Sequence, residues 1–202
     1  MSNKREDTKA YILDKVAPIF NRKGYNGTSL SDITEATGLT KGSIYGNFEN
    51  KSDLAMSAFH QNVGKLVSPM IEIVYKEKNS IKRLYAITNY YRDYYDRSHA
   101  LGGCPVLNAS VDTKFNNWKL FNAAKDVSER LVRNLAVIIN KGIKRKEINK
   151  KIDAYLYAKN IYAMIEGGLF LATTHGDNEY LTNILDQVDK IIKKKLKKKI
   201  VP

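Results

Sequence analysis

Metal ligation or nucleophilic catalysis in this chain would have to draw on three histidines, His60, His99 and His175, and one cysteine, Cys104. The histidines show no metal-ligand spacing among themselves. A single cysteine supports neither a disulfide framework nor a multi-cysteine zinc site. Cys104 precedes Pro105 at an expected helix start, where a thiol pKa can fall and redox chemistry is conceivable; a buried, inert thiol is the preferred reading. No nucleophile elbow, phosphate loop, HExxH, dinucleotide fingerprint or supported acid pair is present. The chain therefore reads as a non-enzyme, with no catalytic residue, metal or cofactor expected. Asn26-Gly27-Thr28 and Asn108-Ala109-Ser110 fit the glycosylation pattern, but without a secretion signal both read as chance matches.

Binding remains. Lys and Arg total 34 against 21 Asp and Glu, a net charge of +13, which suits nucleic acid or an anionic membrane. The distribution weakens that argument. Residues 1–50 hold seven basic side chains against six acidic ones, whereas Lys190–Pro202 carries seven lysines and no acid. That tail reads as a solvated helix end, so net charge alone does not identify the function. With 202 residues, 43% of them hydrophobic, the chain can bury a core and form one large domain, or a small module with a larger body. Its first residues are polar, and no apolar run approaches the about 20 residues of a membrane helix. A cytoplasmic location is the expectation.

The elements that must position any binding residues are helical. Prolines are few and β-branched runs short, which predicts an all-α chain. A first helix spans about Arg5 to Lys23, with Ile12, Leu13, Val16, Ala17, Ile19 and Phe20 on one stripe and Gly24 at its end. Pro18 predicts a bend inside it. Ser29 or Ser31 can cap a short helix that Gly38 closes, and Thr40 can cap the next, about Lys41 to Phe48. A longer helix starts near Lys51, with Pro69 expected to kink or end it. Amphipathic helices follow over about Ser80–Arg97, from near Pro105, over Thr113–Lys144 and Asp153–Thr174, and from Asp177 or Asn178 into the lysine tail.

Two short helices joined by a three-residue turn containing glycine form a helix-turn-helix. Ile33 and Ala36 give the first helix a small apolar inner face. Gly38 supplies the positive φ of the turn and Leu39 anchors it. Ile44 and Phe48 are to be buried, leaving the other face of the second helix for the major groove.

Gly24-Tyr25, Thr28-Ser29, Ile33, Ala36, Gly38-Leu39, Lys41-Gly42, Ile44-Tyr45, Phe48 and Lys51 resemble the N-terminal domain of the TetR family of bacterial transcriptional regulators over about Thr8 to Phe59. Gly103-Cys104-Pro105-Val106-Leu107-Asn108 is similar to a helix opening in one branch of that family. The resemblance implies a homodimeric, ligand-responsive repressor. Residues 1–50 would form a three-helix DNA-binding domain, and 51–202 a larger helical ligand-binding and dimerisation domain. The partners implied are a double-stranded, palindromic DNA operator and a small hydrophobic or aromatic effector. Carried over by position, the DNA-contacting residues are Thr28, Ser29, Thr40, Lys41, Gly42, Ser43, Tyr45, Asn47 and Lys51. Lys51 would meet phosphate at a helix N-terminus. Asn47 stands where many members have histidine, and its amide can donate to phosphate or to an adenine edge.

Aromatic residues crowd the second half. Most are core, but a ligand cavity needs such walls. Tyr91, Tyr94, Trp118, Phe121 and Tyr162 are the candidates, with Asn108 as polar contact. Gly167-Gly168 permits close helix approach and points to the last two long helices as the dimer seam. The alternative is a helical small-molecule or membrane-surface binding protein without operator binding.

Overall fold

A computed structural model describes residues 4–198. The helices are α1 Lys4–Gly27, α2 Leu30–Thr37, α3 Lys41–Tyr45, α4 Lys51–Lys76, α5 Ser80–Arg92, α6 Tyr94–Leu101, α7 Pro105–Thr113, α8 Trp118–Lys144, α9 Ala154–His175 and α10 Glu179–Ile191, followed by a π-helical turn at Ile192–Leu196. The all-α expectation holds. The chain divides into two compact units. The first holds the described residues through Leu66 with Leu101–Asp126; the second holds Val67–Ala100 with Val127 through Lys198.

In the first unit, Ile12, Val16, Ala17 and Phe20 of α1 are buried with Ile33, Ile44, Phe48, Leu54 and Ala58. Helical angles continue through Pro18 and fail instead at Gly24, with φ 75° and ψ 172°. Proline's fixed φ is helical, so α1 continues through Pro18 at the cost of one hydrogen bond and of crowding between its ring and the carbonyl four residues before it, whereas the angles at Gly24 are open to glycine alone. A Cβ there would also meet the Asp112 carboxyl at 3.0 Å. The second helix of the motif is shorter than predicted, ending at Tyr45 with Gly46 as its cap. Phe48 is still 2% exposed, because the turn after α3 folds it inward. Pro69 neither ends nor interrupts α4, which runs on to Lys76.

The long helix expected from Thr113 begins at Trp118. Asn117 divides it from α7: its Oδ1 accepts the Leu120 N–H at 3.2 Å, and its Nδ2 donates to Ser52 Oγ at 3.1 Å. Likewise the helix expected over Ser80–Arg97 breaks at Asp93, the cap of α5.

The second unit buries Leu84 and Ile87 of α5 with Leu135 and Ile139 of α8, Ile161, Ile165 and Leu169 of α9, and Leu181, Leu185 and Val188 of α10. α5 is strapped to α10. Arg92 pairs with Asp186 at 2.7 Å and Asp189 at 2.9 Å, and Thr88 donates to Asp189 at 2.8 Å. After α10, Ile192 and Leu196 are fully buried while Lys193, Lys194 and Lys195 stay exposed. Asn149 N donates to the Leu196 carbonyl, and Lys198 N to that of Glu147. The described part of the lysine tail is thus a tethered segment with a solvated lysine face; residues 199–202 lie outside the described residues.

Candidate nucleic-acid interface and ligand cavity

Ser29 caps α2 in a reciprocal box. Its Oγ accepts the Asp32 N–H at 3.1 Å, and its own N–H donates to Asp32 Oδ2 at 2.7 Å. Two otherwise orphaned donors are satisfied at once. Lys23 Nζ lies 2.6 Å from Asp32 Oδ1. The Lys23 hydrogen bond first, then those from Ser29, hold the Asp32 carboxyl well below the usual carboxylate range.

Gly38 closes α2 at φ 68°, and its N–H donates to the Thr34 carbonyl. Thr40 then caps α3, its Oγ1 accepting the Ser43 N–H at 3.2 Å. Ile44 is fully buried beneath α3, while Thr40, Lys41 and Gly42 are exposed and Ser43 and Tyr45 partly so. An apolar anchor on one side and a polar, small-residue turn on the other is the arrangement that seats a helix N-terminus against DNA.

Lys51 opens α4, at the end where the helix dipole disfavours a cation. Its Nζ stands 4.6 Å from the Tyr25 ring centroid. An anion at this point would meet the ammonium and the helix terminus together.

Other sequence-chosen residues take different places. Thr28 is fully buried, its hydroxyl donating to the Gly24 carbonyl at 2.7 Å. Its side chain therefore braces the join between α1 and α2 and presents nothing to a phosphate. Asn47 donates through Nδ2 to the Ser43 carbonyl at 2.9 Å, and its Oδ1 is buried without a hydrogen-bond partner. Adenine reading needs both amide atoms at the surface, so this rotamer does not present it.

The ligand candidates separate. Tyr91 and Tyr162 line a cavity of about 110 Å³ within the second unit, with Val67, Ile71, Leu135 and Ile165 among its apolar walls. Tyr94 is buried against Tyr90 and Tyr91, with ring centroids 5.8 and 6.0 Å away, and is not one of the cavity walls. Asn108, Trp118 and Phe121 belong to the first unit. Asn108 Nδ2 donates to the carbonyls of Asn21 and Gly102 and borders a smaller void of about 30 Å³. Trp118 is 68% exposed. The single cavity expected among Tyr91, Asn108, Trp118 and Tyr162 is therefore corrected to one holding only the two tyrosines. Aromatic type alone did not distinguish wall, core and surface. Sequence reading missed Arg83 and Lys141, which also line this cavity; their signal was two cations on otherwise apolar helix faces.

Gly168 faces Ile184 of the same chain, whose Cβ lies 3.2 Å from where a Gly168 Cβ would stand. It serves packing of α9 on α10 within one chain, and a leucine at this position would strike the core. Gly167 is exposed with open space beside it. Cys104 is buried at the N-cap of α7. The His99 side chain lies outside the described residues.

Two family models match the chain: "Bacterial regulatory proteins, tetR family" over residues 12–58 and "Tetracyclin repressor-like, C-terminal domain" over residues 80–188. A TetR-family regulator structure from Cytophaga hutchinsonii is 33% identical, covers 98% of this chain and 100% of its own, and superposes with a TM-score of 0.90. One from Chloroflexus aurantiacus is 30% identical, covers 96% and 98%, and gives 0.91. The uncharacterized HTH-type regulator YxaF of Bacillus subtilis is 26% identical over 194 residues, covering 95% of this chain and 98% of its own. The chain belongs to the TetR family and is a DNA-binding transcriptional regulator. Among the described residues no helix is long and apolar enough to cross a membrane.

Proposed function

We propose that the protein is a ligand-responsive repressor that binds a palindromic operator as a homodimer. The observation that carries the DNA reading is the exposed Thr40–Gly42 turn, with Ser43 and Lys51 half-buried, over a buried Ile44 and Phe48. Ser29, Thr40, Lys41, Gly42, Ser43, Tyr45 and Lys51 are the contacts we assign. Thr40, Gly42 and Ser43 bring backbone close to DNA, and Lys41, Tyr45 and Lys51 meet the sugar-phosphate. A relative from Mycobacterium, 22% identical over 187 residues, is named the transcriptional repressor DhaR, which supports the repressing sense.

The apolar cavity of the second unit supports an effector site. Exposed Tyr155, Leu156, Phe170 and Leu171 on α9 and Tyr180 on α10 support dimerisation through these helices, since apolar area of this kind is commonly covered by a partner. Effector binding would shift a two-state equilibrium between DNA-competent and released forms.

Gel-shift titration on the DNA flanking the gene tests the reading. A salt-dependent, dimeric complex on one palindrome is expected, released by a small molecule. By linkage, saturating operator must weaken that molecule by the factor by which it weakens operator binding. Equal binding to unrelated DNA of the same length would sink the operator reading.

A further inference from the structure

We propose that the second unit's cavity takes an amphipathic monocarboxylate, a ligand with an apolar body and one anionic head held by Arg83 and Lys141. The proposal rests on the effector-site reading above. The cavity walls are overwhelmingly apolar, yet its charged members are both cationic, and no described lining residue is acidic.

The two arginines of α5 make the contrast. Arg92 is neutralised by Asp186 and Asp189. Arg83 has no carboxylate partner among the described residues. Its Nε donates to the Glu77 carbonyl at 2.7 Å, and its guanidinium lies 5.4 Å from the Tyr75 ring centroid. Those contacts hold the guanidinium plane while leaving its terminal nitrogens as a fork, the geometry that grips a carboxylate. Lys141, in the last turn of α8, adds a second positive charge to the same lining.

Arg83 is half-buried and Lys141 exposed, so an anionic head at the edge of the cavity meets two positive charges, a neutral one gains nothing from them, and a cationic one is repelled. About 110 Å³ is less than the about 150 Å³ that admits benzene, so the cavity holds a short alkyl segment, and the rest of a longer chain lies along its open side, where the lining residues Ile71, Tyr75 and Val137 are exposed.

Calorimetric titration of the full chain with octanoate, 1-octanol and octylammonium, equal in length and different in head group, tests the idea. Octanoate should bind at least about tenfold tighter than 1-octanol, as a charge-assisted hydrogen bond provides, and octylammonium weakest of the three. Combining Arg83→Gln with Lys141→Gln should bring octanoate to the level of 1-octanol and leave 1-octanol unchanged. If 1-octanol or octylammonium matches octanoate, the carboxylate class is wrong. The effector reading survives if Leu135→Phe, which fills the cavity, abolishes binding of all three. Octanoate binding undiminished in a folded Leu135→Phe protein places the ligand elsewhere and overturns both. Silence from all three probes also overturns the class; the operator-release experiment, which is indifferent to ligand charge, then judges the effector reading separately.

Discussion

Asp112 of α7 accepts the main-chain N–H of Tyr25 at 2.5 Å, beside the backbone break at Gly24. A residue 87 positions away thereby satisfies a donor that the end of α1 leaves unpaired. Asn26 Nδ2 reaches the same carboxylate at 3.4 Å, and Asn108, one helical turn earlier on α7, donates to the Asn21 carbonyl at 3.0 Å. α7 therefore belongs structurally to the unit that carries the helix-turn-helix.

Removing that acceptor should be felt. Asp112→Ala strands the Tyr25 N–H in a part-buried position, and we expect a loss of about 1–3 kcal/mol in urea unfolding. Asp112→Asn, which keeps an acceptor oxygen, should lose less. Equal stability of the alanine variant and the parent would mean that water replaces the carboxylate without cost.

Lys51→Ala should weaken operator and unrelated DNA about equally and lower the log–log salt slope by about 0.9 per monomer. Thr28→Val should leave that slope unchanged, since the hydroxyl faces the Gly24 carbonyl, and lower stability by about 1 kcal/mol. A reduced slope in the valine variant would return Thr28 to the interface.

Acid should loosen the helix-turn-helix. The folded Asp32 pKa lies below its unfolded value because Lys23 and Ser29 stabilise the carboxylate. Its contribution is complete above the unfolded pKa, about 3.9, and disappears as pH falls from there through the folded value. The stability difference between the parent and Asp32→Asn should therefore be constant from about pH 7 to 5 and shrink below about pH 4, less steeply in high salt. A difference that does not change with pH would show that the capping geometry alone matters.

Phe170→Glu places a charge on an exposed apolar position of α9 and should shift light scattering toward the monomer without lowering the thermal midpoint of the monomer fold. Gly168→Leu should instead destabilise the chain by about 1–3 kcal/mol through overpacking against Ile184. A fully dimeric Phe170→Glu protein would move the seam off this face.

Much of the DNA-binding module is legible in the sequence because its determinants are local. Ser29 and Asp32 are three residues apart, Gly38 sets its own backbone angle, and Ile33, Ile44 and Phe48 follow from a short apolar pattern. The break before Trp118 also had a local signal, the capping Asn117, which an unbroken apolar period concealed. Tertiary structure decided the rest. Asn108 and Trp118 share aromatic or polar character with cavity residues, but only the fold separates them from Tyr91 and Tyr162. Gly168 looks like a surface notch until α10 brings Ile184 against it. The pairing of Asp112 with Tyr25 and the gathering of Arg83 and Lys141 around one cavity join residues 87 and 58 positions apart. A helical period specifies which face a side chain occupies; which other face it meets depends on how helices distant in sequence pack to exclude water.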